Sequence, residues 1–300
     1  VGGHQGEGRC EVEGAWTRVI SIKAHINNVA LHHTIFDLPF AFMGAVLAAN
    51  GHPRLIDLFW VAMAITTGRA AAMAIDNLAD LKYDKQQPRM AYRAMVAGRI
   101  SKREALAFIV ICLMLMVLSV LQLQPICIYL LPVAAIPFII YPFMKRVTGW
   151  VHMFLGLAIA MAPAGGWVGV SGTITAPLIV LCTAVALWIG AFDAMYGAQD
   201  EAFDRSQGLH SLAVSYGAAG AFRIATAAHV ICILCFLALG FMMHLSALYF
   251  VGVLIAAATL CYQHRIVSPT DFSRVTQRYF MRNGIVSVAI FACTWLSFYI

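Results

Sequence analysis

Long apolar runs, each closed by Gly, Pro or a few charges, recur from about residue 34 to the end of the chain. A helix needs about 20 largely apolar residues to cross a bilayer. Runs of that order lie at 34–50, 56–77, 104–122, 126–143, 151–170, 176–197, 217–242, 245–262 and 283–300. The pattern predicts an all-α fold: a polytopic membrane bundle of nine transmembrane helices around a central cavity open to the cytoplasm. Gly51-His52-Pro53, Gln124-Pro125, Gly172 to Pro177 and Met243-His244 read as tight turns. The longer connections are 80–102, 201–216 and 263–282. Residues 1–21 read as a flexible N-terminal tail, and Val1 to Gly14 lack the basic-then-apolar order of a signal peptide. Residues 22–300 read as a single domain.

Composition sharpens this picture. Of 300 residues, 61% are hydrophobic and 11% charged, with a mean hydropathy of +0.80. A soluble domain runs at roughly 45–50% apolar and about 25% charged. The net charge of +6 does not indicate a nucleic-acid partner, because the basic residues are dispersed among loops. Eighteen of the twenty fall before the first span or in alternate connections, Arg54 stands on the other side, and Arg69 lies inside a span. That is the positive-inside pattern. It predicts a cytoplasmic N-terminus and cytoplasmic long loops in a prokaryotic inner or plasma membrane, and it requires an odd number of crossings. Cys232-x-x-Cys235 has redox spacing but sits in mid-membrane sequence, so it reads as packing.

The acids collect on the same side and carry the chemistry. Asp76, Asp80 and Asp84 follow one another at intervals of four at the end of the second span. Asp193, Tyr196, Asp200 and Asp204 form a matching series at the end of the sixth. Such spacing puts each set on one helical stripe. Like charges four apart repel, and a carboxylate within a span costs at least ~2.5 kcal/mol. Two such ladders need positive charge between them. Mg²⁺ is the natural choice, because it takes hard oxygen ligands and is held by a few carboxylates together with substrate phosphates. Arg89 and Arg93, just after the first ladder, suit phosphate oxygens.

Two other readings compete. Any single Asp at a membrane edge commonly caps a helix or pairs with a neighbour such as Lys82, Lys85 or Arg205, but that account does not explain two matched ladders. A cation- or proton-coupled transporter also uses intramembrane acids, usually near the bilayer midplane. Here only Asp76, Arg69 and Asp193 lie deep. His32, His33, His152 and His210 lack metal-ligand spacing and read as local hydrogen-bonding groups, and Asn283 reads as an N-cap of the ninth span.

With these residues in view, the chain resembles the UbiA superfamily of membrane prenyltransferases over residues 22–300. The family's Asn-x-x-x-Asp-x-x-x-Asp motif is similar to Asp76, Asp80 and Asp84, and its Asp-x-x-x-Asp motif to Asp200 and Asp204. Further likeness lies in His33 to Phe36, Leu38-Pro39-Phe40, Tyr141 to Thr148 with His152, and Phe192 to Ser211. The branch it resembles is 4-hydroxybenzoate polyprenyltransferase-like and includes menaquinone-pathway enzymes with a dihydroxynaphthoate acceptor. This chain departs from the family at three positions: Asp76 stands for Asn, Met90 for Thr and Val96 for Pro.

The resemblance implies that Asp80, Asp84, Asp200 and Asp204 hold Mg²⁺ against a polyprenyl diphosphate. Arg89, Arg93, Lys145 and Arg146 then face its oxygens, and an aromatic acid acceptor is prenylated on its ring in quinone biosynthesis. Arg69 has two readings side by side, the acceptor's carboxylate or internal pairing with Asp76. Asp76, Asp193 and Tyr196 are the catalytic candidates, with Asp193 or Tyr196 orienting the phenol or taking the ring proton.

Overall fold

The computed structural model describes His25 and residues 34–87, 90–274 and 277–300. The expected tail at 1–21, His32, His33 and Arg89 lie outside the described residues. In chain order the helices are α1 (Thr34–Ala48), α2 (Leu55–Ala79), α3 (Leu81–Asp84), α4 (Lys102–Val120), α5 (Ile126–Met144) and α6 (Val151–Ser171). They continue with α7 (Ala176–Gly197), a 3-10 turn (Ala198–Asp200), α8 (Glu201–Ser206), α9 (Leu212–Met242), α10 (Ala247–Ile266) and α11 (Gln277–Leu296). Among the described residues no strand forms beyond one isolated bridge between Ser268 and Asp271.

Each apolar run folds as helix, but not every run has bilayer-crossing length. Among the described residues seven helices are long and apolar enough to cross, while Phe36–Ala48 and Arg282–Leu296 are shorter apolar stretches. The chain is an integral membrane protein, and its outer faces match that solvent. Val110 and Leu118 on α4, Val133 and Ile139 on α5, Leu234 on α9 and Leu254 on α10 are exposed. On a soluble protein such a surface would be a sticky patch; in lipid it is the solvated face.

Local sequence sets the helix ends. Ser101 and Glu104 form a capping box at the start of α4, with bonds of 2.7 and 3.2 Å. Gly172 closes α6 in the left-handed region, at φ 69°. Gly217, at φ 71° and ψ 162°, kinks α9. The run expected from 217 therefore begins at the kink, and Leu212–Tyr216 add a helical lead-in.

α7 is the centre of the bundle. Trp188, Phe192 and Met195 pack there with Phe40 and Met43 of α1 and Leu212, Phe236 and Leu239 of α9. Lipid offers no hydrophobic force between helices, so membrane bundles rely on small residues that let backbones approach. A Cβ at Gly166 would lie 1.9 Å from the Ala41 carbonyl oxygen, and one at Gly156 would lie 2.1 Å from that of Ala186. These contacts lock α1, α6 and α7 together.

One expectation is corrected. Asn283 is not an N-cap: α11 begins at Gln277, and Asn283 is fully buried within it. Its Oδ1 accepts from Trp188 Nε1 at 3.0 Å and from Gln263 Nε2 at 3.3 Å. The apolar run alone starts the helix too late, and a buried indole N–H needs an acceptor. Asn283→Leu strands both donors and should cost about 1–3 kcal/mol. A lowered thermal midpoint of the detergent-solubilised protein is the expected reading, and an unchanged midpoint would refute the role.

Candidate active site

Both acidic ladders bend at the membrane edge, where the sequence predicted continuous stripes. α2 stops at Ala79, and Asp80 (φ −89°, ψ −2°) joins it to α3, which carries Asp84. The spiral survives the junction, since Asp80 N–H donates to the Asp76 carbonyl and Asp84 N–H to that of Asp80, each at 2.9 Å. In the second ladder α7 stops at Gly197, the 3-10 turn ends on Asp200 (φ −95°, ψ 3°), and α8 carries Asp204. Repulsion between acids four apart disfavours a straight helix here, and past the two bends Asp80 and Asp84 share one cavity with Asp200 and Asp204.

That cavity, of about 70 Å³, is lined by Asp80, Asp84, Asp200 and Asp204 together with Arg93, Lys145, Arg146, Tyr83 and Gln87. Arg93 donates to Asp84 at 2.5 Å. Lys145 stands 3.7 Å from Asp204, and Arg146 stands 3.7 Å from Asp80. Arg146 also donates to the Ala79 carbonyl at 2.9 Å and lies over the Tyr83 ring. Gln87 Nε2 donates to Asp200 Oδ1 at 3.1 Å, joining the loop after the first ladder to the second ladder. Sequence reasoning missed Gln87, because a loop amide carries no periodic signal.

Charge balance governs this cavity. Burial pushes the Asp80 carboxyl above the usual aspartate range; Lys145 opposes that push and Asp84 adds to it. Burial alone would depress the Lys145 ammonium, but Asp204 and Asp200, with Asp193 and Asp80 behind them, hold it above the ordinary lysine value. Arg93 behaves alike, with Asp84 and Asp76 outweighing burial.

Among the described residues no three His, Cys, Asp or Glu side chains form a ready-made metal cage. The donors present are all hard oxygens, paired across two helix ends. Mg²⁺ usually takes only one or two carboxylates and completes its shell from water and substrate phosphates. The donor set therefore fits an ion that arrives with a diphosphate.

Deeper groups lie one level below. Asp193 Oδ2 meets His152 Nδ1 at 2.7 Å, and Tyr196 stacks on Phe192 with ring centres 6.2 Å apart. Arg69 pairs with Asp37 of α1 rather than with Asp76, correcting that alternative. Asp37 was missed because it sits early in an apolar run, although a lone acid there is itself the signal. Arg69 and Asp37 border an apolar cavity of about 560 Å³ formed by residues of α2, α4, α5, α6 and α7, including Met116, Phe138 and Leu187. Of these, α2, α5 and α7 lead to the polar cavity, which Asp80, Lys145, Arg146 and Asp200 line just past their ends. On α2, eleven residues separate Arg69 from Asp80, about 16 Å at 1.5 Å per residue. His210 stays outside the polar cavity, its backbone N–H bonded to the Lys145 carbonyl at 2.6 Å.

Fold and cavities together define a class: a membrane-embedded helical enzyme with a charged grip at the bilayer edge above an apolar chamber. The sequence profile of the UbiA prenyltransferase family matches residues 38–285, and the chain belongs to that family. It is a prenyltransferase. A 4-hydroxybenzoate octaprenyltransferase from Marinobacter nauticus is 30% identical over 246 residues, covering 82% of this chain and 83% of that one. The apo structure of a UbiA homolog from Aeropyrum pernix matches with a TM-score of 0.80 and 31% identity, covering 88% of this chain and 97% of that one. A UbiA homolog from Archaeoglobus fulgidus, bound to GPP and Mg²⁺, shares the fold with a TM-score of 0.72 at 19% identity, covering 92% of this chain and 100% of that one.

Lys145 is the cation most enclosed by carboxylates. Lys145→Met should raise the KM for a prenyl diphosphate by about 10- to 100-fold, the worth of a charge-assisted hydrogen bond. Steady-state kinetics in detergent checks this, and an unchanged KM would remove Lys145 from diphosphate binding.

Proposed function

We propose that this enzyme transfers a polyprenyl group from polyprenyl diphosphate to the ring of a 4-hydroxybenzoate-like aromatic acid, with Mg²⁺, in quinone biosynthesis. The observation that carries the reading is the convergence of Asp80, Asp84, Asp200 and Asp204 with three cations on one cavity, above an apolar chamber on the same helices. The name of the Marinobacter relative and the GPP and Mg²⁺ of the Archaeoglobus homolog support it. The excess of basic residues on one side supports nine crossings, a cytoplasmic N-terminus and a cavity opening to the cytoplasm.

In this mechanism the four carboxylates would hold Mg²⁺, and Arg93, Lys145 and Arg146 would donate to diphosphate oxygens; Arg89 is assigned the same task from sequence. Bound there, Mg²⁺ supplies Lewis-acid stabilisation of the leaving diphosphate. The apolar chamber shelters the isoprenoid chain. The allylic C–O bond breaks with its electron pair leaving on the diphosphate, and a ring carbon ortho to the acceptor's hydroxyl bonds to the allylic carbon. Asp193 takes the proton from that ring carbon, and Tyr196 orients the hydroxyl. Asp76, one turn deeper on α2 than Asp80, keeps its catalytic assignment from its place in the first ladder.

Arg69 serves the acceptor's carboxylate, since its Nε is buried without a hydrogen-bond partner at the chamber wall. Its depth fits. Arg69 lies eleven residues before Asp80 and Asp193 seven before Asp200, a difference of about 6 Å in depth, on the scale of one aromatic ring.

The test incubates the purified enzyme in lipid with Mg²⁺, geranyl diphosphate and a panel of aromatic acids, with products read by mass. The expected result is one added geranyl group on a 4-hydroxybenzoate-like acid, and loss of product on chelation. Asp80→Asn and Asp200→Asn should each lower turnover by about 10²–10³-fold or more, the scale of losing a group that stabilises developing charge. Full activity in either variant would reject the assigned roles.

A further inference from the structure

His152 lies on α6, side by side with α7, and its side chain is only 3% exposed. Its Nδ1 stands 2.7 Å from Asp193 Oδ2, while its Nε2 is buried with no hydrogen-bond partner. That asymmetry selects a tautomer. With the proton on Nδ1, the ring donates to the carboxylate and leaves only a lone pair unsatisfied. The other tautomer would bury an unpartnered N–H and set two acceptors against each other.

The ring also has a fitted seat. A Cβ at Gly197 would fall 2.9 Å from His152 Cε1, so only a bare backbone at that position admits the imidazole. Gly197 is the last residue of α7, four after Asp193 and three before Asp200. The same turn that ends α7 thus holds the ring against the carboxylate. Asp193 is itself 26% exposed and lies between the two cavities, six residues beyond Leu187 of the apolar chamber and seven before Asp200 of the polar one.

We infer that His152 is a positioning residue: its Nδ1–H fixes the Asp193 carboxylate so that Oδ1 faces the acceptor ring and receives its proton. The inference rests on the function proposed above and deepens it. After the new C–C bond forms, the C–H bond at the substituted ring carbon breaks. Its electron pair restores the aromatic ring, and the proton passes to Asp193. A carboxylate that pivots freely would lose this step while leaving diphosphate binding intact. The logic parallels other sites in which one side chain acts only by orienting the base.

Prenyl transfer is measured in single turnover with His152→Ala, His152→Asn and Gly197→Ala, alongside geranyl diphosphate affinity and the thermal midpoint. Each rate is repeated with an acceptor deuterated ortho to its hydroxyl. In His152→Ala transfer should fall by about 10- to 100-fold, part of the 10²–10⁴ that a positioned base supplies. Donor affinity should stay within about twofold, because His152 bonds Asp193 and is not among the residues that line the polar cavity. A primary isotope effect should appear as proton removal becomes rate-limiting. His152→Asn, whose amide nitrogen is as many bonds from the backbone as Nδ1, should restore most of the rate. Gly197→Ala should reproduce the defect with the imidazole intact.

Transfer unchanged in His152→Ala would overturn the inference. So would equal losses in the Ala and Asn variants with no isotope effect, or a parallel loss of donor affinity, either of which marks a packing defect. A wild-type enzyme that prenylates no aromatic acid would overturn this inference and the proposed function together. Wild-type transfer with His152-independent kinetics would overturn this inference alone.

Discussion

Everything in this molecule is arranged around the neutralisation of carboxylates at the rim of a low-dielectric slab. Asp80, Asp84, Asp200 and Asp204 line one small cavity, and Arg93, Lys145 and Arg146 are set among them. Charges so placed are costly without partners and strongly coupled with them. The enclosed acids hold Lys145 charged against the pull of burial. In the proposed function, a multiply anionic head group and a divalent cation would exchange into this existing balance.

The bundle makes that balance possible by fixing where two helices end. α7 packs on α6 and α9, and glycines bring α6 within backbone contact of both α1 and α7. With α7 held this rigidly, the stop at Gly197 and the bend at Asp200 are reproducible features of the fold. α2 supplies the opposing end, and Gln87 ties its following loop to Asp200. The apolar chamber occupies the level below on the same helices, so one set of packing contacts positions both the charged grip and the lipid-like space. A prenyl diphosphate has this division of character along its length.

Deep in the bundle, polar side chains pair across helices, and several of them keep one buried atom without a partner. Arg69 meets Asp37, His152 meets Asp193, and Asn283 serves Trp188 and Gln263. Each pair joins residues far apart in sequence, and each keeps a polar group tolerable where water is scarce. These links also decide which donors and acceptors are left to act on a substrate. Arg69 keeps a buried Nε, and Asp193 keeps Oδ1.

The sequence by itself determined the membrane class, the location of the helices and the residues of both ladders. Apolar run length and four-residue spacing are local quantities, readable without knowing what packs against what. It also determined the family, through motifs that lie within single helix ends. Only the tertiary structure decided that the ladders bend and share a cavity, that Arg69 pairs with Asp37, and that Asn283 is an interior hub rather than a cap. It alone revealed Gln87 beside Asp200 and the seat of His152 against Gly197. Those facts depend on contacts across 20 to 113 residues of chain. No periodicity records such contacts, because hydrogen-bond partners across helices are chosen by how the backbones pack.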